Sequence, residues 1–516
     1  VTYTDRESIN NSFVFTDFPD DSKQTALWQA ANYKSNSGNE SSSLLFSTVV
    51  RGSYRYAGRY LLTASARMDI ASNFASAHRR GFFPSVGIGW VTSEENFMKT
   101  IKRWVPYLKF RASMGKTGIT AGSSTESMNV FRNGKYMDLP TVVPYQLGNP
   151  DLTWETTMQY DVAMEFGFLK NSKFRGSIGW YRKDTDHLLN QITLPPSTGM
   201  DRVNVNMASS RNTGIEFEIS TTLLHYKNFN WSLSLNVAKN TNIITGLDKQ
   251  LTSSLSGGTD LDNTVLQEGK TVGLFYGYKT DGIIKSQEEI DALNAGAPKG
   301  MTYQNGKESS DRPSIPGDIK YVDVNGDGYV DFNNIRTSED RTVLGSSNPD
   351  FTGGFNTSFS YKSWNLGIHG TFSYGGKKYW SALPQQFTMS ASTPKNVLNV
   401  ALKRWTPEHP DAGYPQIRIN NTNMSYFSDF FLYDASFLKI QNISLSYRLP
   451  QSVLKRLPMF SDISFSASVN NPFVFTPYPG PNPESYSSNK ISGSAVDYSL
   501  YPEFMTINFG VRMQLN

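Results

Sequence analysis

The sequence predicts an all-β chain folded as a transmembrane antiparallel β-barrel, and three observations carry that prediction. Aromatics make up 13% of the 516 residues, with 40 Gly and 27 Tyr, while charged residues reach only 18%, a profile rich in strand formers and turn residues. Apolar and polar residues alternate with a period of two over stretches of about ten residues. That is the length a tilted strand needs to cross a bilayer, against about six in a soluble sandwich. The connections alternate between tight turns and long loops, as the two rims of a transmembrane barrel do.

The alternation is plainest in RYLLTASARMD, residues 59–69. Tyr60, Leu62, Ala64, Ala66 and Met68 share one face, against Arg59, Thr63, Ser65, Arg67 and Asp69 on the other. WSLSLNVAK sets Trp231, Leu233, Leu235 and Val237 against Ser232, Ser234 and Asn236. ISFSASVN sets Ile463, Phe465, Ala467 and Val469 against Ser464, Ser466, Ser468 and Asn470. MTINFGVRMQL sets Met505, Ile507, Phe509, Val511, Met513 and Leu515 against Thr506, Asn508, Gly510, Arg512 and Gln514.

Strands are expected near 46–56, 60–69, 82–91, 106–116, 158–168, 174–184, 211–222, 230–240, 351–361, 364–374, 436–448, 462–470 and 505–515. Tight turns follow at AG, LKNSK, HYKNF and KS, while the turns at 92–105 and 449–461 on the same rim are longer; the largest loop on the other rim spans about 241–350. If the closing strand ends at the short-turn rim, an odd count of thirteen starts at the opposite rim. That parity predicts further strands outside this sequence, because an open sheet would leave unpaired edges in lipid.

Composition excludes several functions. Cysteine is absent, so disulfides, thiolate metal sites and cysteine nucleophiles are excluded. The net charge is +4 and no run of Lys and Arg interleaves with aromatics, so nothing points to nucleic acid. No stretch reaches the roughly 18 apolar residues of a membrane helix, and VTYTDRESIN has no leader pattern. SMGKTG, residues 113–118, has Phe110 where a phosphate loop needs Gly. The five histidines, His78, His187, His225, His369 and His409, form no close pair, and no G-x-S-x-G elbow occurs. The reading is therefore not an enzyme.

Several stretches resemble the SusC-like TonB-dependent transporters of the Bacteroidota outer membrane: YRYAGRYLLTASARMD with FFPSVGIGWVTSEENF, LKFRASMGKTG, NPDLTWETTMQYD, RNTGIEFE, GDIKYVDVNGDGYVD, NPDFTGGFNTSFSYKSWNL, RWTPEHPDAGYP and DASFLKIQNISLSYRLP. Their number and order, over nearly the whole chain, carry the resemblance. It implies a barrel of about 22 strands closed by an N-terminal plug, of which this chain holds about thirteen in its C-terminal part, 1–516, with the plug and first strands absent. It further implies a TonB box, energy from TonB-ExbB-ExbD, a SusD-like surface lipoprotein, and import of an oligosaccharide or oligopeptide too large for porins. A receptor or adhesin barrel without transport, and a soluble β-rich carbohydrate-active enzyme, are the rival classes. In the register of the closing strand, Leu515 stands where the family usually has its terminal Phe, followed by Asn516.

One stretch has its own chemistry. DVNGDGYVD, residues 323–331, matches the first half of an EF-hand loop: Asp323, Asn325 and Asp327 offer side-chain oxygens, Gly328 the sharp turn and Tyr329 its carbonyl. A sensor needs Glu at position twelve and flanking helices, yet Asn334 stands there and Pro316 and Gly317 precede the loop. The family often carries such a loop between strands, with an Asp at the twelfth position before Arg-Thr; here Asp340, Arg341 and Thr342 come six positions late. Calcium at Asp323, Asn325, Asp327, Tyr329 and Asp331 and a tight turn held by Asx hydrogen bonds are both open readings. Tyr54, Tyr56, Tyr60, Trp180 and Trp231 are expected in the interfacial girdle; Tyr374, Tyr379, Trp380 and Trp405 are expected to pack within loops.

Overall fold

In the computed structural model the described residues are 1–16, 32–120, 127–137, 139–169, 173–247, 264–304, 313–332, 338–389, 396–419, 426–484, 496–497 and 502–515. The first strands are β1 (Thr2–Thr16), β2 (Asn32–Tyr56), β3 (Tyr60–Ala71), β4 (Arg80–Trp90), β5 (Tyr107–Ile119), β6 (Val130–Tyr136), β7 (Leu139–Leu147), β8 (Glu155–Phe168), β9 (Phe174–Thr193), β10 (Arg202–Tyr226) and β11 (Phe229–Leu247). A long connection holds β12 (Thr264–Val265), β13 (Leu274–Tyr278), β14 (Thr280–Ile283), helix α1 (Gln287–Ala295), β15 (Ile319–Tyr321) and β16 (Arg341–Ser346). Then come β17 (Phe351–Tyr361), β18 (Trp364–Tyr374), β19 (Lys377–Trp380), β20 (Thr388–Met389), β21 (Arg418–Ile419), β22 (Leu432–Asp434), β23 (Phe437–Arg448), helix α2 (Gln451–Leu454), β24 (Phe460–Phe475), β25 (Val496–Asp497) and β26 (Thr506–Leu515).

The main path of the large sheet is β1-β2-β3-β4-β5-β8-β9-β10-β11-β17-β18-β23-β24-β26. The chain divides into two compact units, Val1–Lys99 with Lys109–Ala163 and Tyr181–Asn212, and Thr100–Leu108 with Met164–Trp180 and Thr213–Asn516. Strands β8, β9 and β10 each run through both.

In the first unit the register turns the sequence alternation into two faces. Tyr54, Leu62, Ile88 and Ala112 line up across β2 to β5, and the next outward row is Tyr56, Tyr60, Trp90 and Phe110. On the opposite face, Arg55, Leu61, Gly89 and Arg111 lie between these rows, and Ser53, Thr63, Gly87 and Ser113 lie on the other side of the Tyr54 row. The apolar face is the bare one: Tyr54 is 64% and Ile88 59% exposed, which a water-soluble sheet does not tolerate over so wide a patch. The turn between β2 and β3 runs from Ala57 to Arg59, with Ala57 at φ 50° and Gly58 at φ 71° and the Arg59 N–H donating to the Tyr56 carbonyl at 3.0 Å. Positive φ at both central positions is the type I′ geometry that matches strand twist.

The second unit repeats the arrangement. Leu233, Thr357, Ile368, Ile443, Val469 and Ile507 form one row across β11, β17, β18, β23, β24 and β26. One step along, on the other face, runs a polar row of Ser234, Asn356, His369, Asn442, Asn470 and Thr506. The Asn442 amide donates to Asn470 at 2.7 Å within it. Lys227 and Lys362 take positive φ in the two-residue turns after β10 and β17.

Four expectations need correction. Fourteen strands follow the main path, not thirteen, because Thr2–Thr16 pairs with β2 from Ser47 to Asn32. Its sequence and the facing NYKSNSGNESSS lack an apolar face, so the period-two signal is silent there; with an even count, the parity argument for missing strands no longer follows. Secondly, strands exceed ten residues: β2 and β10 have 25, β9 has 20 and β11 has 19. In β2 the extra length, NYKSNSGNESSS, is polar, and pairing with β1 continues where lipid patterning stops. Thirdly, the connection after β5 holds a hairpin, β6 with β7, whose β7 pairs in parallel with β10 at Gln146 and Leu147. Lastly, the longer short-rim turns contain short helices, Thr92–Glu94 and Asn96–Met98 in one and α2 in the other.

Candidate functional site

The second unit gathers its long connections into one packed body. Its buried cluster draws on Phe275, Tyr321 and Phe332 from the β11–β17 connection, Trp380 and Phe427 from the β18–β23 connection, and Tyr478 after β24. Phe332 stacks on Tyr426 at 4.0 Å between ring centres and meets Tyr278 edge-on at 4.9 Å. Such ring pairs add to burial, so loops distant in sequence hold one another. Tyr379 and Trp380 lie inside this core, as expected of loop packing, while Tyr374 stacks on Phe351 at 5.0 Å.

The acidic loop is fastened to that core. The Tyr278 hydroxyl donates to the Asp331 carbonyl at 2.9 Å, and the Asp323 N–H donates to the Tyr303 hydroxyl at 3.3 Å. Asp323 accepts from the Gly326 and Gly328 N–H groups, each at 2.7 Å. The Asp327 N–H donates to the Asn325 side-chain Oδ1 at 3.1 Å, and the Tyr329 N–H to Asp327 Oδ1 at 3.2 Å. Gly326 and Gly328 sit at φ 80° and 94°, conformations glycine reaches without strain. Asp340, six positions late in sequence, folds back: its two carboxylate oxygens accept from the Val324 N–H at 3.1 Å and the Asp331 N–H at 2.8 Å. It is 1% exposed, and burial, then the charges of Asp323 and Asp327, push its pKa up against those two hydrogen bonds. Asn334 lies outside the described residues.

The donor types, all hard oxygens, suit calcium. Their placement is that of a hydrogen-bonded turn, and among the described residues no three His, Cys, Asp or Glu side chains converge as a metal centre does.

Two ionic clusters escaped the sequence reading, because their partners lie far apart in the chain. Asp318, 1% exposed, pairs with Arg418 at 3.2 Å, and burial outweighs that guanidinium, raising its pKa to about 6. Lys439, on the same row as Thr371, donates to Glu484 at 2.5 Å and Glu503 at 2.6 Å. Buried Lys378 donates to the Pro483 carbonyl, and burial lowers its pKa to about 8 against the attraction of Asp497 and Glu484. Beside them is a cavity of about 450 Å³ lined by Asn236, Thr352, Thr371, Ser373, Lys378 and Glu484. Hydroxyls, an amide and paired charges there can hydrogen-bond a polar ligand. The five histidines stand on separate elements: His78 between β3 and β4, His187 on β9, His225 on β10, His369 on β18 and His409 between β20 and β21.

A sheet apolar on its bare face, polar on the other and topped by packed loops has a clear counterpart among known proteins. The family profile described as TonB dependent receptor-like, beta-barrel matches residues 3–352. This chain belongs to that family. It is 28% identical over 498 residues to TonB-dependent receptor P39 of Formosa agariphila, covering 91% of this chain and 46% of that protein. TonB-dependent receptor P26 of the same organism is 31% identical over 413 residues, covering 78% and 38%. SusC of Bacteroides thetaiotaomicron is 28% identical over 494 residues, covering 91% and 44%. The chain thus spans about half the length of the curated relatives it matches. The solved structure of the RagAB peptide transporter superposes with a TM-score of 0.77 at 21% identity, covering 99% of this chain and 52% of that one, a likeness of fold. The chain is part of a SusC-like outer-membrane β-barrel, and its bare apolar rows suit lipid.

Proposed function

We propose that this chain supplies barrel wall and surface loops to a TonB-dependent importer that draws a large nutrient, an oligosaccharide or oligopeptide, across the outer membrane. The observation that carries the reading is the polar row from Ser234 to Thr506 facing away from lipid beneath the packed loops, a wall built for a hydrated passage. Energy would come from TonB-ExbB-ExbD, and a SusD-like lipoprotein would meet the loops from outside. RagAB is a peptide transporter, which supports a peptide cargo, and SusC kinship supports the two-component arrangement. The test is uptake of labelled oligosaccharide and oligopeptide pools by cells carrying or lacking the gene. Accumulation that depends on the gene and stops when the proton gradient is collapsed is expected. Surface binding without accumulation would instead assign the alternative, a receptor or adhesin barrel.

Calcium at Asp323, Asn325, Asp327, Tyr329 and Asp331 belongs to the same proposal. Support comes from the hard oxygen donors spaced as in a calcium loop, D-x-N-x-D-G, over residues 323–328. Protease protection of residues 317–345 that requires calcium and is lost in Asp327→Ala is the expected result; equal protection with a chelator would leave the hydrogen-bonded turn alone.

A further inference from the structure

The lipid-facing side of the first unit is not smooth. A groove of about 510 Å³ lies near the short-turn end of β2 to β5. Its floor is Leu62, Ile88 and Ala112, and its walls are Tyr54, Tyr56, Tyr60, Trp90 and Phe110. Ala112 makes the depression, because the same row carries Tyr54, Leu62 and Ile88 on the neighbouring strands. The wall rings brace one another: Tyr56 and Tyr60 stack at 6.3 Å, and Trp90 lies 6.3 Å from Phe110 and 6.5 Å from Phe97.

The rim on the turn side is polar and held in place. Glu95 accepts from the Tyr60 hydroxyl at 2.6 Å and the Trp90 indole N–H at 3.1 Å through one oxygen, and from Arg59 at 2.8 Å through the other. The carboxylate is thereby spent on its own neighbours, and it fixes two ring tips at the rim. Arg59 gives it one of its guanidinium nitrogens and stays partly open to the outside. A planar cation with donors to spare, set at the polar edge of an apolar slot, suits a phosphate diester with a hydrocarbon tail.

We infer that this groove seats an acyl chain of a glycerophospholipid from the periplasmic leaflet, with the lipid phosphate on Arg59. The depth agrees: short turns mark the periplasmic rim, and aromatic rings mark the headgroup boundary. The seat is specific in the sense that a floor of small and branched side chains admits a chain end that the ring-lined rows beside it do not. This inference rests on the outward face of the barrel and not on its cargo, so uptake and lipid retention fail independently.

The test is native mass spectrometry of the full-length protein released from mild detergent, counting retained phosphatidylethanolamine. Ala112→Trp, which fills the floor, should cut retention roughly tenfold, the equivalent of two buried methylenes. Arg59→Gln should cut it while the groove persists, and Leu233→Trp, on the lipid-facing row of β11, should not. A photoreactive acyl-chain phosphatidylethanolamine should label the peptides around residues 54–62 or 88–112 of the unaltered protein, a readout that survives if Ala112→Trp fails to fold. Equal retention in all variants, or label spread evenly over the barrel, would overturn the inference. So would a change of oligomeric state in Ala112→Trp with lipid retained, since a second copy would then own the groove.

Discussion

Asp318 and Asp340 show how single carboxylates set the chemistry of the loop body. The folded pKa of Asp318, about 6, is raised above the free value of about 3.9, so burial penalises its charged form. That penalty is present at pH 7 and disappears as pH falls through 6, so the loop body should gain about 1 kcal/mol between pH 7 and pH 5. Asp340 is raised too and acts in the same sense. Lys378, lowered to about 8, stays charged through that window and does not oppose them. Hydrogen exchange of residues 313–332, corrected for intrinsic rates, should therefore slow at the lower pH. Asp318→Asn should flatten the change; an identical pH response in that variant would refute the account. Asp340→Ala should cost about 1 kcal/mol by removing the acceptor of the Val324 and Asp331 N–H groups. Its readout is proteolysis within 317–345 with the barrel intact. Of these residues the sequence displayed Asp340 but not its fold-back, and the Asp318 pairing with Arg418, one hundred positions away, leaves no local trace.

At the scale of the strand, neighbours one residue apart meet opposite solvents. Leu233 belongs to the row that ends at Ile507, and Ser234 to the row that ends at Thr506. Leu233→Arg should lower assembly stability by about 2–4 kcal/mol, while Ser234→Arg should be tolerated, read by heat-modifiable mobility of the folded barrel. Equal defects would reverse the faces. The alternation made these strands legible because lipid demands an apolar residue at every second position. It failed for β1 and for the first half of β2, whose sequences lack a continuous apolar face. The β6–β7 hairpin escaped because Pro140, Pro144 and the adjacent Val142 and Val143 break the alternation of β7.

For the whole molecule the ends of the sheet path matter most. β26 pairs with β24 from Phe460 to Asn470, and every described residue of β26 is exposed. Deleting residues 509–516 would strip β24 of most of its partner on the side away from β23 and open that edge to lipid, where unpaired amides cost several kcal/mol each. No folded barrel should reach the outer membrane from that gene. Replacing Leu515 with Phe and removing Asn516 should raise the folded amount, measured by the same mobility shift. A truncated protein that still assembled would show that β26 does not belong to the barrel wall.

The shared core of the loop body has a consequence for inheritance. Phe275, Phe427 and Tyr478 come from three separate connections yet pack in one cluster. A recombination event that replaced one connection would break ring contacts made by the other two. Diversification of what the loops recognise must therefore proceed by exchanging all three as a cassette, or by changing exposed positions such as Lys285 and Asp411, whose surface ion pair holds little stability.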